Sequence, residues 1–112
     1  MNITTKATGL DLTPSLKTYI TAKLGGLDRF VRKFEAQGEV EMWLEVARTT
    51  THHHKGAVFM AEADLRLPGR VLRAVHYDAD VRTAIDVLKT KLTLEIEKYR
   101  TKLAPRRRGR HA

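Results

Sequence analysis

The sequence contains no cysteine. That excludes disulfides and thiolate chemistry and fits a reducing cytoplasm. It contains one serine, Ser15, placed in what reads as a first helical turn, so a serine nucleophile paired with a histidine and an acid has poor material. No apolar run approaches the roughly 18 residues of a membrane span. The opening Met1-Asn2-Ile3-Thr4-Thr5 is not a basic segment followed by an apolar one, so no secretory leader is expected. Glycine-rich phosphate loops, zinc-protease motifs and calcium loops are also missing. His52-His53-His54 is the one histidine cluster, but neighbouring histidines on a polar connection do not converge readily on one ion. Neither metal nor cofactor is implied, and no enzyme is expected.

What remains is a soluble domain. The 112 residues are 42% hydrophobic and 30% charged, enough apolar surface for one two-layer core. Acidic residues are in the minority, 13 against 21 basic ones, for a net charge of +8. Such a chain favours polyanions, nucleic acid before membrane.

The periodicities predict a β-α-β-β-β-α order. A first strand spans Asn2 to Thr8, with Ile3, Thr5 and Ala7 on one face. Thr13-Pro14 starts a helix, with Thr13 as cap and Pro14 at the first helical position. Its stripe of Leu16, Ile20, Leu24, Leu27, Val31 and Phe34 predicts one helix to about Phe34. Gly25-Gly26 falls inside it as a weak spot or close-packing site, not a break. Glu39 to Arg48 alternates, with Val40, Met42, Leu44 and Val46 inward. Ala57 to Leu67 does the same, after a polar connection from Thr49 to Lys55. Pro68-Gly69 is a tight turn into a fourth strand, Val71 to Tyr77, with His76 on its inward side as a core or boundary histidine. Asp78 and Asp80 are candidate caps for a long second helix. The stripe of that helix is Val81, Ala84, Ile85, Leu88, Leu92, Ile96, Tyr99 and Leu103. Pro105 ends it. Strands with one apolar face need cover on one side only. The expected fold is therefore α+β, a four-stranded sheet with two helices packed on one face. It occupies residues 1–103, with a disordered basic tail at 104–112.

Charge is unevenly spread. The two helices and the tail hold 15 basic against 5 acidic residues, and the rest holds 6 against 8. Outward strand positions carry Glu39, Glu41, Glu45, Glu62 and Asp64, which would repel phosphate. Trp43 among them is expected to pack at an edge. The helices suit phosphate better. Lys91, Lys98 and Lys102 share one flank of the second helix's stripe, and Arg82, Lys89 and Arg100 share the other. In the first helix Lys17 and Lys23 flank the stripe, while Arg29, Arg32 and Lys33 point outward. Arg106, Arg107, Arg108 and Arg110 suit a phosphate backbone without folding. Few carboxylates are expected on this surface.

Several segments together resemble the ribosome hibernation-promoting and ribosome-associated inhibitor family. They are Asn2-Ile3, Leu12-Thr13-Pro14-Ser15-Leu16-Lys17-Thr18-Tyr19-Ile20, Lys23-Leu24, Leu27-Asp28-Arg29-Phe30, Leu67-Pro68-Gly69-Arg70-Val71-Leu72-Arg73-Ala74, Asp80-Val81-Arg82-Thr83-Ala84-Ile85-Asp86 and Lys91-Leu92. The likeness covers about residues 1 to 103. It implies a fold similar to double-stranded RNA-binding domains. It also implies binding to small-subunit ribosomal RNA near the tRNA and mRNA sites, with steric inhibition of translation under stress. The family's basic positions carry over at Lys17, Lys23, Lys91, Lys98, Arg100 and Lys102. The chain departs from the family's frequent basic residues at Gly26 and Leu94 and from a frequent aromatic at Arg82, and Glu97 adds a negative charge. Long members carry a second, dimerising domain, so the resemblance implies a short form, monomeric off the ribosome, with neither membrane nor small-molecule partner. A protein-interaction regulator of the sigma-factor-modulation type, using the acidic sheet face, is the competing expectation.

Overall fold

In a computed structural model, residues 1–49 and 58–103 are described. The polar connection with its three histidines and the arginine tail lie outside them. The element order is β1 (Asn2–Thr8), α1 (Pro14–Leu24), a 3-10 turn (Gly25–Leu27), α2 (Asp28–Glu35), β2 (Glu41–Arg48), β3 (Phe59–Leu67), β4 (Arg70–Asp78) and α3 (Val81–Leu103). The four strands lie in sequence order in one sheet. β1 runs parallel to β2, and the two later pairs are antiparallel.

Register follows from the alternation. Ile3, Met42, Leu65 and Leu72 share one inward row, and Thr5, Leu44, Ala63 and Ala74 the next. A slip of one residue would turn every one of these side chains to the opposite face. The helices all cover this inward face. Leu16, Ile20, Leu24, Leu27, Val31 and Phe34 meet Ala84, Ile85, Leu88, Leu92 and Ile96 of α3 in a single core with the inward strand residues. Ala61 and Ala63 are fully buried, and α3 lies over β3 and β4. Short side chains there let the helix approach the sheet closely.

Turn and cap chemistry are as the residue types require. The Thr13 hydroxyl accepts from Leu16 N–H at 3.1 Å, and Asp80 accepts from Thr83 N–H at 2.9 Å, each filling an orphan donor of a first turn. Gly69 has φ +80°, which a type II turn requires of the residue after Pro68.

Two expectations need correction. The first helix is divided: Gly25 and Gly26 have the weakest helix propensity short of proline, and the backbone tightens there into the 3-10 turn. The apolar stripe survives, because Leu24, Leu27 and Val31 all remain fully buried. Leu103 closes the predicted α3 stripe but is 56% exposed. Among the described residues, no helix is long and apolar enough to cross a membrane.

Candidate nucleic-acid interface

The helical layer presents its cations in two separate places, because the flanks of α3 face different neighbours. One flank looks across a seam to α1. There the Arg82 guanidinium donates to Ser15 Oγ at 2.9 Å and stacks 4.7 Å from the Tyr19 ring centroid. Lys23 lies 5.7 Å from the same ring, so two cations share one aromatic face system. The Tyr19 hydroxyl donates to Asp86 at 2.6 Å, and Lys23 pairs with that carboxylate at 3.6 Å. The hydrogen bond to Asp86 is the main reason the Tyr19 phenol is held above its ordinary value of 10.0; desolvation and the Asp86 charge push the same way. One turn further on, Lys89 Nζ passes over Gly26, where an added Cβ would stand only 2.8 Å from it. The missing side chain at position 26 thus makes room for a cation delivered by the other helix.

The other flank of α3 looks towards the free edge of the sheet. Lys91 Nζ donates to the Val75 carbonyl at 2.8 Å, on the outer side of β4. Lys98 bonds Glu95 at 3.4 Å, while Lys102 is exposed in the last turn. On the Arg82 side of the helix, Arg100 pairs with Glu97 at 3.0 Å.

The expectation of few carboxylates on this surface is therefore corrected. Asp86, Glu95 and Glu97 each hold one of the candidate cations, Lys23, Lys98 and Arg100. Among the described residues, Lys17, Arg29, Arg32, Lys33, Arg82, Lys89, Lys91 and Lys102 have no carboxylate at ion-pair distance. Arg29 lies over the Phe30 ring at 4.7 Å. Arg32 and Lys33 close α2, where they also oppose the helix dipole. Arg106, Arg107, Arg108 and Arg110 lie outside the described residues.

The open sheet face also differs from its sequence reading. Trp43 is on β2, an interior strand, and is 47% exposed, so it packs at no edge. Arg66 stacks on it at 5.3 Å, and Arg73 pairs with Asp64 at 3.2 Å. The face is mixed rather than uniformly acidic. His76 behaves as a boundary residue, its Nε2 lying 3.3 Å from Asp78.

Periodicity missed Tyr19 and Ser15 as members of the seam. Their partners are 67 positions away, and no local spacing signals such a pairing. Arg70, stacked at 5.6 Å on Tyr99, was missed for the same reason.

An α+β domain whose single covered face is roofed by basic helices is one recognisable class of small protein. Residues 2–104 match the family described as sigma 54 modulation protein / S30EA ribosomal protein, and the chain belongs to that family. It is 29% identical over 94 residues to a ribosome hibernation promoting factor of Klebsiella oxytoca, covering 84% of this chain and 87% of that one. It is 26% identical over 102 residues to the ribosome hibernation promotion factor of Deinococcus radiodurans, covering 90% of this chain but only 50% of the relative. The chain thus spans about half the length of that relative. Among solved structures, the N-terminal domain of Thermus thermophilus Protein Y superposes with a TM-score of 0.68 at 27% identity, over 88% of this chain and 99% of that domain.

Proposed function

We propose that the protein is a ribosome hibernation factor that binds small-subunit ribosomal RNA near the tRNA and mRNA sites and blocks translation by occupying that space. No chemistry is required of it. The observation that carries the reading is the one-sided helical roof, on which Lys17, Lys89, Lys91 and Lys102 stand without carboxylate partners among the described residues. Phosphate contacts of this kind release counterions, so affinity falls steeply with salt. The family membership and the names of the relatives support the ribosome as target. Lys23, Lys98 and Arg100 contribute by exchanging their carboxylate partners for phosphate, and the arginine tail extends the contact. Off the ribosome the protein is monomeric.

The test is co-sedimentation with purified small subunits. A folded variant with Lys89, Lys91 and Lys102 all changed to Glu is expected to lose binding, and mRNA with tRNA should compete with the wild type. Unchanged binding of that variant would overturn the assignment of this face.

A further inference from the structure

The face turned away from the helices carries its own unsatisfied chemistry. In the sheet register Glu45 stands directly opposite Glu62, both pointing outward. Like charges opposite one another are destabilising. Among the described residues neither has a cation at ion-pair distance. Glu45 accepts only the Thr8 hydroxyl at 2.8 Å, although Lys6 is its register partner on β1. Asp64, the next outward residue of β3, is already satisfied by Arg73. Beside the pair, two residues along β2, lies the half-exposed ring of Trp43, which already receives one guanidinium from Arg66. Lys6, Trp43, Glu45, Glu62, Asp64 and Arg73 together line a shallow depression. Val71 and Val75, at 43% and 38% exposed, extend apolar surface across the outward side of β4.

A half-exposed tryptophan beside a carboxylate couple without a cation among the described residues, with Val71 and Val75 two strands away on β4, has the composition of a protein-binding hot spot and not of a phosphate site. We propose that the open sheet face docks a basic, extended protein segment, with an arginine or lysine side chain seated between Glu45 and Glu62 and against Trp43. The seated cation relieves the Glu45–Glu62 repulsion and adds a cation–π contact. The chain's net charge of +8 repels a polycation over most of the surface, so a basic segment is drawn to local carboxylate clusters such as this one. The proposal does not need the RNA reading. It puts the two partners on opposite sides, so both can be held at once.

Trp43 is the only tryptophan in the chain, so its fluorescence reports on this face alone. The full-length protein is titrated with an arginine-rich decapeptide, and with an acidic decapeptide as control. Expected is a saturable change in Trp43 emission with the basic peptide only, weakened by salt. The Glu45→Gln/Glu62→Gln variant should bind roughly tenfold less tightly, the loss of about one good charged contact. Lys89→Glu/Lys91→Glu should leave the peptide titration no weaker while weakening small-subunit binding, which separates failure here from failure of the RNA reading. No change in emission, or an equal affinity for the double glutamine variant, overturns the proposal. So does an RNA duplex that shifts Trp43 as strongly as the peptide. Concentration-dependent dimerisation that the peptide does not displace would assign the face to a second copy instead.

Discussion

The Lys91 ammonium donates to the Val75 carbonyl at 2.8 Å, across the free edge of β4. A lysine counted among the phosphate contacts therefore also occupies one acceptor of an exposed strand edge. Lysines in such places discourage edge-to-edge pairing. Lys91→Met is expected to reduce the salt dependence of ribosome binding by roughly one unit of slope. It should also raise the tendency to self-associate, read by light scattering at high concentration. An unchanged salt slope would remove Lys91 from the phosphate contacts, and unchanged self-association would show that its hydrogen bond to the strand edge is incidental.

At the seam, Tyr19 and Asp86 make a pH-dependent contribution of known sign. The phenol is raised above 10.0, so the fold gains stability from it below that pH and loses the gain as pH rises through the folded value. Asp86→Asn should return the phenol towards its ordinary range, seen as earlier phenolate absorbance in an alkaline titration. It should also flatten the fall in thermal midpoint above pH 10 relative to wild type. Identical alkaline curves for the two proteins would contradict the role given to Asp86.

Asp80 works in the opposite direction. The Thr83 backbone N–H, then its hydroxyl, hold the carboxyl below its ordinary 3.8. Its stabilisation is present above pH 3.8 and is lost as pH falls through the depressed value. Asp80→Ala should lower the thermal midpoint at pH 7, and the gap from wild type should close in acid. A gap that persists unchanged well below pH 3 would remove the cap explanation.

Much of this architecture is legible in local pattern. Met42, Leu44 and Val46 alternate with the more exposed Glu41, Trp43 and Glu45 because a pleat has period two, and they are buried as the alternation predicts. Thr13 and Asp80 cap helices because their short side chains reach back to free N–H groups. Other features depend on partners the pattern does not name. Trp43 sits mid-face because β1 adds beyond β2, and strand order is not a local property. Asp86 neutralises Lys23 from another helix. Leu103 keeps the phase of its stripe yet is exposed, since a period tells which way a residue points but not how far the opposing surface extends. The 23 residues of α3 measure about 34 Å, against about 30 Å for the nine residues of β4 beneath it.

Gly26 and Lys89 supply the sharpest test of the seam. A methyl group at position 26 would meet Lys89 Nζ at 2.8 Å, too close unless the amine moves. The contact is with the far end of a flexible side chain, and an alanine within a helical turn gains up to about 1 kcal/mol over glycine. Gly26→Ala is therefore expected to leave stability unchanged or to raise it by up to about 1 kcal/mol, measured by urea unfolding. It should at the same time displace the Lys89 amine from the groove and weaken small-subunit binding. Gly26→Lys separates the two effects, because it restores a cation to the seam while displacing Lys89 in the same way. Recovery of binding in Gly26→Lys but not in Gly26→Ala would mean that positive charge at this point, whichever helix delivers it, is what the RNA reads. Full binding by Gly26→Ala would remove Lys89 from the interface and leave the Lys91 flank to carry α3's share.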